Sequence, residues 1–278
     1  MEEYFVVSFG LNQIAVPSYG AGAFCALAQT LDCDGVEFRN DMVGSDFNAE
    51  QAKQFGGLAR DNQLEIFNLS EVSQFDNWDD SKKRETEKLI VLADAMGARA
   101  IGLIPRNDDA NLGKAARIDS LKKALDALQP MLAEKNLLGL IEPLGFPTAS
   151  LRLKSEIVAV IKELGFEDNF KLIHDTFHHA LAGEIDVFAQ HTALVHISGV
   201  ERQDDVDFSD MQDQDRVLVG GQDRLGNITQ ISQLQAAGYK GPVSFEPFSP
   251  MVQNTNDIAG ELAASIHFID SQLKKCAA

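Results

Sequence analysis

The sequence predicts an α/β fold, a single (β/α)8 TIM barrel that takes up residues 1–278 as one domain. Three observations indicate it. Eight short apolar or β-branched runs alternate with helical stretches, as parallel strands and their connecting helices do. The length of 278 residues is close to the roughly 250 residues that are usual for such barrels. No Gly/Ser-rich or Pro-rich linker divides the sequence, which favours one domain.

The strand candidates are nearly continuous in apolar character, which is typical of parallel strands that are buried on both faces. In chain order they are Tyr4–Phe9, Gly35–Phe38, Leu64–Leu69, Ala100–Ile104, Leu137–Ile141, Phe170–Ile173, Ala193–Ile197 and Pro242–Phe245. An open doubly wound sheet is the competing layout. However, the first run continues as Gly10-Leu11-Asn12, without the glycine-rich phosphate loop that such sheets usually carry. The barrel is therefore favoured.

Five helices are predicted between these runs. Asn48–Asp61 begins at a residue type that caps helices, and Asp80–Met96 ends before Gly97, a typical C-terminal stop. The other three are Ile118–Glu134, Leu151–Leu164 and Thr255–Lys274.

A polar segment from Gly199 to Gly221 follows the seventh run and interrupts the alternation. It contains two arginines, Arg202 and Arg216, and seven acidic residues. A loop of this length within a compact domain is usually functional or disordered. Because it follows a strand, we expect it to lie over the carboxyl end of the barrel, where such barrels carry their active sites.

The charge balance disfavours partners that are bound through phosphates. The chain has 24 Lys+Arg against 42 Asp+Glu, a formal net charge of −18, so nucleic acids and anionic membranes would be repelled. The amino terminus is acidic where a secretory signal is basic, and no apolar stretch approaches the roughly 20 residues of a membrane span. Cys25, Cys33 and Cys276 lack metal-ligand spacing and are expected to be reduced thiols. The expected location is the cytoplasm.

Four consecutive strand candidates end in residues that can do chemistry: Glu142, Asp175, His196 and Glu246. A single carboxylate after a strand is more often a helix cap or a surface residue, but four such residues at adjacent strand ends favour a site. Three carboxylates and one imidazole at the mouth of a barrel would repel one another unless a divalent cation lay among them. The ligand set suits one Mn²⁺, Zn²⁺, Co²⁺ or Mg²⁺ ion, and the spacing does not choose between them.

The motifs around these residues resemble a known group. They are Glu142-Pro143-Leu144-Gly145, Asp175-Thr176-Phe177-His178, His196 with Arg202, and Glu246-Pro247-Phe248. Together they resemble the xylose-isomerase-like TIM barrel superfamily of sugar isomerases, epimerases and AP endonucleases (family 2), and most of all the inosose (2-keto-myo-inositol) isomerases. The resemblance extends to Val36–Arg39, Asn68, Asp213–Val217 and Ser244–Glu246.

The resemblance implies roles for these residues. Glu142, Asp175, His196 and Glu246 would bind one divalent metal, and the two glutamates would also be the acid/base pair. His178 would contact substrate oxygens, and Arg202 matches an arginine of keto-sugar epimerases. Arg216, Asn12 and Asn68 are the further substrate-binding candidates.

Chemically, such a site suits proton transfer next to a carbonyl. The predicted activity is isomerisation of an unphosphorylated polyol ketone. Inosose is the first expected substrate and a free ketose the second. An inosose substrate would place the chain in inositol catabolism. Ketose 3-epimerase, hydroxypyruvate isomerase and inosose dehydratase remain open within the superfamily. Ketose epimerases often carry a further glutamate where this chain has Thr148, and the loop Val219–Asp223 departs from the common Pro-Gly-x-Gly.

Two readings of a different class are also open. An endonuclease IV-like nuclease is disfavoured, because the first four strand candidates and their ends contain no histidine and the chain is acidic. The second is a non-catalytic sugar-binding barrel. Many barrels of this kind associate, so a homo-oligomer is open as well.

Overall fold

The computed structural model describes residues 7–44, 46–109, 112–201 and 207–276. Eight parallel strands close into a barrel, in which each strand pairs with its neighbours in chain order and the first pairs with the last. The strands are β1 (Phe9–Asn12), β2 (Gly35–Arg39), β3 (Glu65–Ser73), β4 (Ala100–Ile104), β5 (Leu138–Ile141), β6 (Phe170–Asp175), β7 (Thr192–Ile197) and β8 (Val243–Phe245). The predicted (β/α)8 barrel is confirmed.

The first strand is the one whose predicted position was wrong. It was predicted over Tyr4–Phe9, of which residues 1–6 lie outside the described part, and β1 begins only at Phe9. The apolar run marks where hydrophobic residues are dense, but pairing decides where the strand lies. Phe9 pairs in register with Val243 of β8, and Asn12 with Glu37 of β2. The strand therefore includes a polar residue that an apolarity criterion excludes.

The helices surround the barrel. Those described are α1 (Ala21–Thr30), α2 (Ala49–Asp61), α3 (Asp80–Met96), α4 (Lys114–Lys135), α5 (Lys154–Leu164), α6 (Thr176–Ala182), α7 (Asn227–Ala236), α8 (Pro250–Gln253) and α9 (Ile258–Cys276). The Asn48 side chain accepts hydrogen bonds from the backbone of Glu50 and Gln51 and so caps α2. Gly97 ends α3 with a φ of 79°, a left-handed conformation that glycine adopts without strain. Every helix within the described ranges is too short or too polar to cross a lipid bilayer.

Packing between strands and helices forms the main hydrophobic core, and a smaller apolar cluster contains Phe67, Leu140 and Ile173. The Phe67 ring packs so closely on β1 and β2 that a Cβ at Gly10 or Gly35 would lie 2.7 or 2.5 Å from it. These two glycines therefore leave room for an aromatic ring that larger residues would displace. Buried polar residues such as Asn12, Arg39 and Asp175 lie at the carboxyl ends of β1, β2 and β6.

Candidate metal and substrate site

Four strands bring Glu142, Asp175, His196 and Glu246 together, as the sequence predicts. One potential ligand atom from each lies within 4.8 Å of all the others. His196 Nδ1 is 3.1 Å from Glu246 Oε2 and 3.4 Å from Glu142 Oε1. All four side chains are buried, so their charges interact with little screening by water.

Local structure explains why the side chains converge. Asp175 and His196 are partners in the β6–β7 register, and the backbone N–H of Glu246 donates to Ile197 at the end of β7. Asp175 also caps α6, because its Oδ1 accepts hydrogen bonds from the N–H groups of Phe177 (2.7 Å) and His178 (3.1 Å). The cap uses Oδ1 and leaves Oδ2 directed at the cluster.

Two arginines offset part of the negative charge. Arg216 Nη2 donates to Asp175 Oδ2 (2.5 Å) and to Glu246 Oε2 (2.9 Å), and Arg39 Nη1 lies 3.7 Å from Glu246 Oε1. Both guanidinium groups lie over the ring of Phe248, at 5.8 Å for Arg39 and 4.6 Å for Arg216.

A backbone pairing places Arg216 in the site. Gly199, just after β7, exchanges two hydrogen bonds with Val217, at 2.7 and 2.8 Å. This contact holds the C-terminal part of the polar segment against the end of β7, so that the guanidinium of Arg216 is buried among the cluster residues.

The environment separates the pKa values of the two glutamates. Burial, reinforced by the nearby Glu246 carboxylate, raises the pKa of Glu142 to about 8. Burial would also raise the pKa of Glu246, but His196, Arg216 and Arg39 overcome it and hold that pKa well below its usual range. Burial favours neutral His196, yet the surrounding carboxylates raise its pKa well above the ordinary value. One glutamate therefore favours its acid form and the other its carboxylate.

The residues fit a divalent cation on two observations. The donor set of three carboxylates and one imidazole nitrogen is of the kind that Mn²⁺, Mg²⁺, Co²⁺ and Zn²⁺ accept. In addition, the Arg216 guanidinium already lies between Asp175 and Glu246 as a stand-in cation. Without a cation, the mutual repulsion of these buried carboxylates would be costly.

A cavity of about 190 Å³ opens directly above the cluster. Besides Glu142 and Glu246, its polar lining consists of Arg39, Glu71, Asn107, His178, Asp213 and Arg216. His178 Nδ1 has no hydrogen-bond partner among the described residues, although its ring is buried against Phe146 and Phe177. Since buried polar atoms are normally paired, this nitrogen is available to a bound molecule. Predicted substrate residues His178 and Arg216 thus line the cavity.

The other predicted substrate residues lie elsewhere. Asn12 is fully buried and donates from Nδ2 to Glu246 Oε1 at 3.2 Å. Asn68, also fully buried, donates to Glu37 Oε2 (3.3 Å) and to Ser70 Oγ (3.0 Å). Neither is among the residues that line the cavity. Arg202 lies outside the described residues.

Glu37, Arg39 and Glu71 were not among the predicted site residues. Glu37 Oε2 lies 3.0 Å from His196 Nε2, Arg39 approaches Glu246, and Glu71 lines the cavity. The sequence does contain a signal for the first two. Residues two apart on a strand point to the same side, so the polar pair at the end of Val36-Glu37-Phe38-Arg39 is consistent with two side chains at the barrel interior.

The chain matches the family model described as xylose isomerase-like TIM barrel over residues 25–271. It is 31% identical to a xylose isomerase domain-containing protein from Salmonella typhimurium LT2, with a TM-score of 0.83 over 96% of this chain and 97% of that one. No curated protein matches the chain significantly.

Two further solved structures share the fold at lower identity. The IolI protein with a bound zinc atom is 17% identical, with a TM-score of 0.81 over 97% of this chain and 99% of that one. D-psicose 3-epimerase with D-tagatose from Clostridium cellulolyticum H10 is 14% identical, with a TM-score of 0.73 over 96% and 99%.

Proposed function

Since the chain belongs to the xylose isomerase-like TIM barrel family, we propose that it is a divalent-metal-dependent isomerase that moves a proton next to the carbonyl of an unphosphorylated polyol ketone. Inosose (2-keto-myo-inositol) is the first substrate we expect, and a free ketose is the second. The family includes sugar isomerases and epimerases, so an enzyme of this chemistry is typical of the family.

The observation that carries the proposal is the buried cluster of Glu142, Asp175, His196 and Glu246 below the cavity. It supplies two things that proton transfer at carbon requires: a place for a cation and two glutamates that follow different strands and line the same cavity. A structural ion-pair network would not need a cavity above it. Here the cavity wall also contains His178, whose Nδ1 has no hydrogen-bond partner among the described residues.

The roles of the chain's own residues follow from their contacts. A cation held by the four residues would draw electron density from the substrate's carbonyl oxygen and so acidify the adjacent C–H. Glu246 is held as a carboxylate by Arg216 and Arg39 and serves as the base that accepts the proton. Glu142, which follows β5 and lines the same cavity, returns a proton. His178 and Arg216 bind substrate oxygens.

A ketose 3-epimerase is the second candidate, because an epimerase also needs two proton-transferring groups that approach one carbon from different sides. Glu142 follows β5 and Glu246 follows β8, which is compatible with that geometry. Against it, Thr148 occupies the position of the further glutamate of ketose epimerases, and its hydroxyl donates to Asn107 Oδ1 in the cavity wall. Because of this departure, we rank inosose isomerisation above ketose 3-epimerisation.

The test is proton exchange followed by NMR in D2O. Keto-inositols, ketohexoses and hydroxypyruvate are incubated with the protein and Mn²⁺, Co²⁺, Mg²⁺ or Zn²⁺. We expect metal-dependent loss of the signal of the hydrogen next to the carbonyl, fastest for an inosose. Exchange that persists unchanged in a chelator would contradict the metal, and binding without exchange for every compound would favour a non-catalytic sugar-binding barrel.

A further inference from the structure

Glu37 reaches across the barrel from β2 to His196 on β7. Its Oε2 lies 3.0 Å from His196 Nε2, and both side chains are fully buried. The two residues are 159 positions apart in the chain. Glu37 therefore contacts Nε2, whereas Nδ1 is the ring nitrogen that approaches Glu142 and Glu246.

The two ring nitrogens of His196 therefore have different surroundings. Nδ1 faces Glu142 and Glu246, at 3.4 and 3.1 Å, whereas Nε2 faces Glu37. A histidine binds a metal through a nitrogen that carries no proton, so a neutral ring must carry its proton on the other nitrogen. Nε2–H needs an acceptor in this buried setting, and the Glu37 carboxylate is positioned to be that acceptor.

The surroundings of Glu37 point to the same role. Asn68 Nδ2 donates to Oε2 at 3.3 Å, the oxygen that contacts His196, and Asn68 Nδ2 also lies 3.0 Å from Ser70 Oγ. Glu37 Oε1 has no hydrogen-bond partner among the described residues. A buried carboxylate that served only to stabilise the barrel would be expected to use both oxygens, because an unsatisfied buried oxygen is costly.

We propose that Glu37 is a positioning residue that fixes His196 with Nδ1 toward the cation, and that Asn68 holds Glu37 in place instead of contacting substrate. The inference rests on the metal site of the proposed function. Glu37 does not touch substrate, and it acts through the tautomer and orientation of the ring. Outer-shell partners of this kind typically contribute about 10–100-fold to metal affinity.

The first readout is metal affinity, measured by competition with a chelator. Glu37→Leu removes the acceptor and is expected to weaken Zn²⁺ and Mn²⁺ binding by about 10–100-fold. Glu37→Gln keeps an amide oxygen that can accept the Nε2–H bond, so a smaller loss is expected. Asp76→Asn is the matched control: Asp76 is a buried carboxylate paired with Ser150 and the Arg106 backbone, outside the cluster. It should leave the affinity unchanged.

The second readout is the tautomer itself, from long-range ¹H–¹⁵N NMR of the histidine rings in the zinc-loaded wild-type protein. We expect His196 to carry its proton on Nε2. A proton on Nδ1, or a folded Glu37→Leu protein that binds metal as tightly as the wild type, overturns the inference alone. A wild-type protein that binds no cation overturns both this inference and the proposed metal site.

Discussion

Arg216 Nη2 lies 2.5 Å from Asp175 Oδ2, although the two residues are 41 positions apart. The other carboxylate oxygen of Asp175 is used by the backbone N–H groups at the start of α6. Oδ2 is therefore the oxygen that Asp175 can offer to a cation, and Arg216 already shares it. Burial alone would raise the pKa of Asp175, but the adjacent guanidinium brings it below its ordinary value. The carboxylate is thus kept ionised and ready to bind a metal.

The first prediction concerns Asp175→Asn. The amide oxygen can still cap α6, so we expect the variant to fold, but it lacks the charge that a metal ligand supplies. Its metal content after purification with excess Mn²⁺ or Zn²⁺ should fall by about 10-fold or more, the scale on which even outer-shell partners act. Elemental analysis measures this. Asp213→Asn also removes a carboxylate that contacts Arg216 but lies outside the cluster, so it should retain metal. Undiminished metal in Asp175→Asn would remove Asp175 from the ligand set.

The second prediction separates proton transfer from metal binding at Glu246. Glu246→Gln preserves the size of the side chain and one oxygen ligand but cannot accept a proton at neutral pH. We expect kcat to fall by about 10²-fold or more, the usual contribution of a general base, while part of the metal is retained. The measurement is turnover together with metal content of the same sample. Near-normal turnover would exclude Glu246 as the base.

Sequence patterns could predict the barrel because its strands are buried and its strand ends carry the chemistry. Four residues of the cluster follow directly from reading the ends of β5 to β8. The pattern failed at β1, where Asn12 belongs to the strand and is polar. It also missed α1, α7, α8 and α6, and the seven residues of α6 begin immediately after Asp175 and read as part of the site motif.

The contacts within the site could not be predicted from the sequence. Residues at the same strand end are expected to be close, but a strand's sequence does not say which side chains meet across the barrel. Glu37 and His196 meet in this way, and so do Arg39 and Glu246. The position of Arg216 depends on a backbone pairing between Gly199 and Val217 within a polar loop, which has no apolar periodicity to reveal it.

The third prediction concerns a buried lysine beside the site. Lys154 Nζ lies 2.9 Å from His174 Nδ1 and 2.7 Å from His179 Nδ1, and burial lowers its pKa to about 7. In the unfolded chain the lysine keeps its ordinary pKa near 10.5. Between these values the unfolded chain binds a proton that the folded protein does not, so the free energy of unfolding should rise from pH 7 toward pH 10.

Lys154→Met tests this dependence. A pKa difference of a few units is worth several kcal/mol, because each unit corresponds to about 1.4 kcal/mol. Burial lowers the pKa values of His174 and His179 too, so these rings titrate below the window. Urea unfolding between pH 7 and 9.5 should show a smaller rise in stability for Lys154→Met than for the wild type. Lys114→Met removes an exposed ammonium group and should show the same rise in the free energy of unfolding with pH as the wild type. Equal slopes in all three proteins would contradict a neutral Lys154.

The last prediction concerns the charge of the substrate. Glu71 and Asp213 face the cavity, and the guanidinium groups of Arg39 and Arg216 are already paired with carboxylates. In barrels that bind phosphorylated sugars, backbone N–H groups of the loops after the last two strands commonly hold the phosphate, and Gly220 and Gly221 lie in the loop after β7. They line a different cavity, and a Cβ built at Gly220 would lie 2.6 Å from the carboxylate of Glu201. A phosphate dianion would therefore meet negative charge at each of these places and gain few charge-assisted hydrogen bonds.

A ketose and its phosphate ester, compared in one assay at fixed ionic strength, decide the matter. We expect kcat/KM for the ester to be lower by at least about 10-fold, which corresponds to roughly 1.4 kcal/mol of transition-state stabilisation. Asp213→Asn should reduce the difference in kcat/KM between the free ketose and its ester, because it removes a carboxylate from the cavity wall without touching the cluster. Higher salt should also reduce this difference in kcat/KM, since screening weakens the repulsion between the phosphate and a partly exposed carboxylate. A higher kcat/KM for the ester than for the free ketose would contradict an unphosphorylated substrate. If Asp213→Asn leaves the ratio of the two kcat/KM values unchanged, the Asp213 carboxylate does not discriminate against the phosphate.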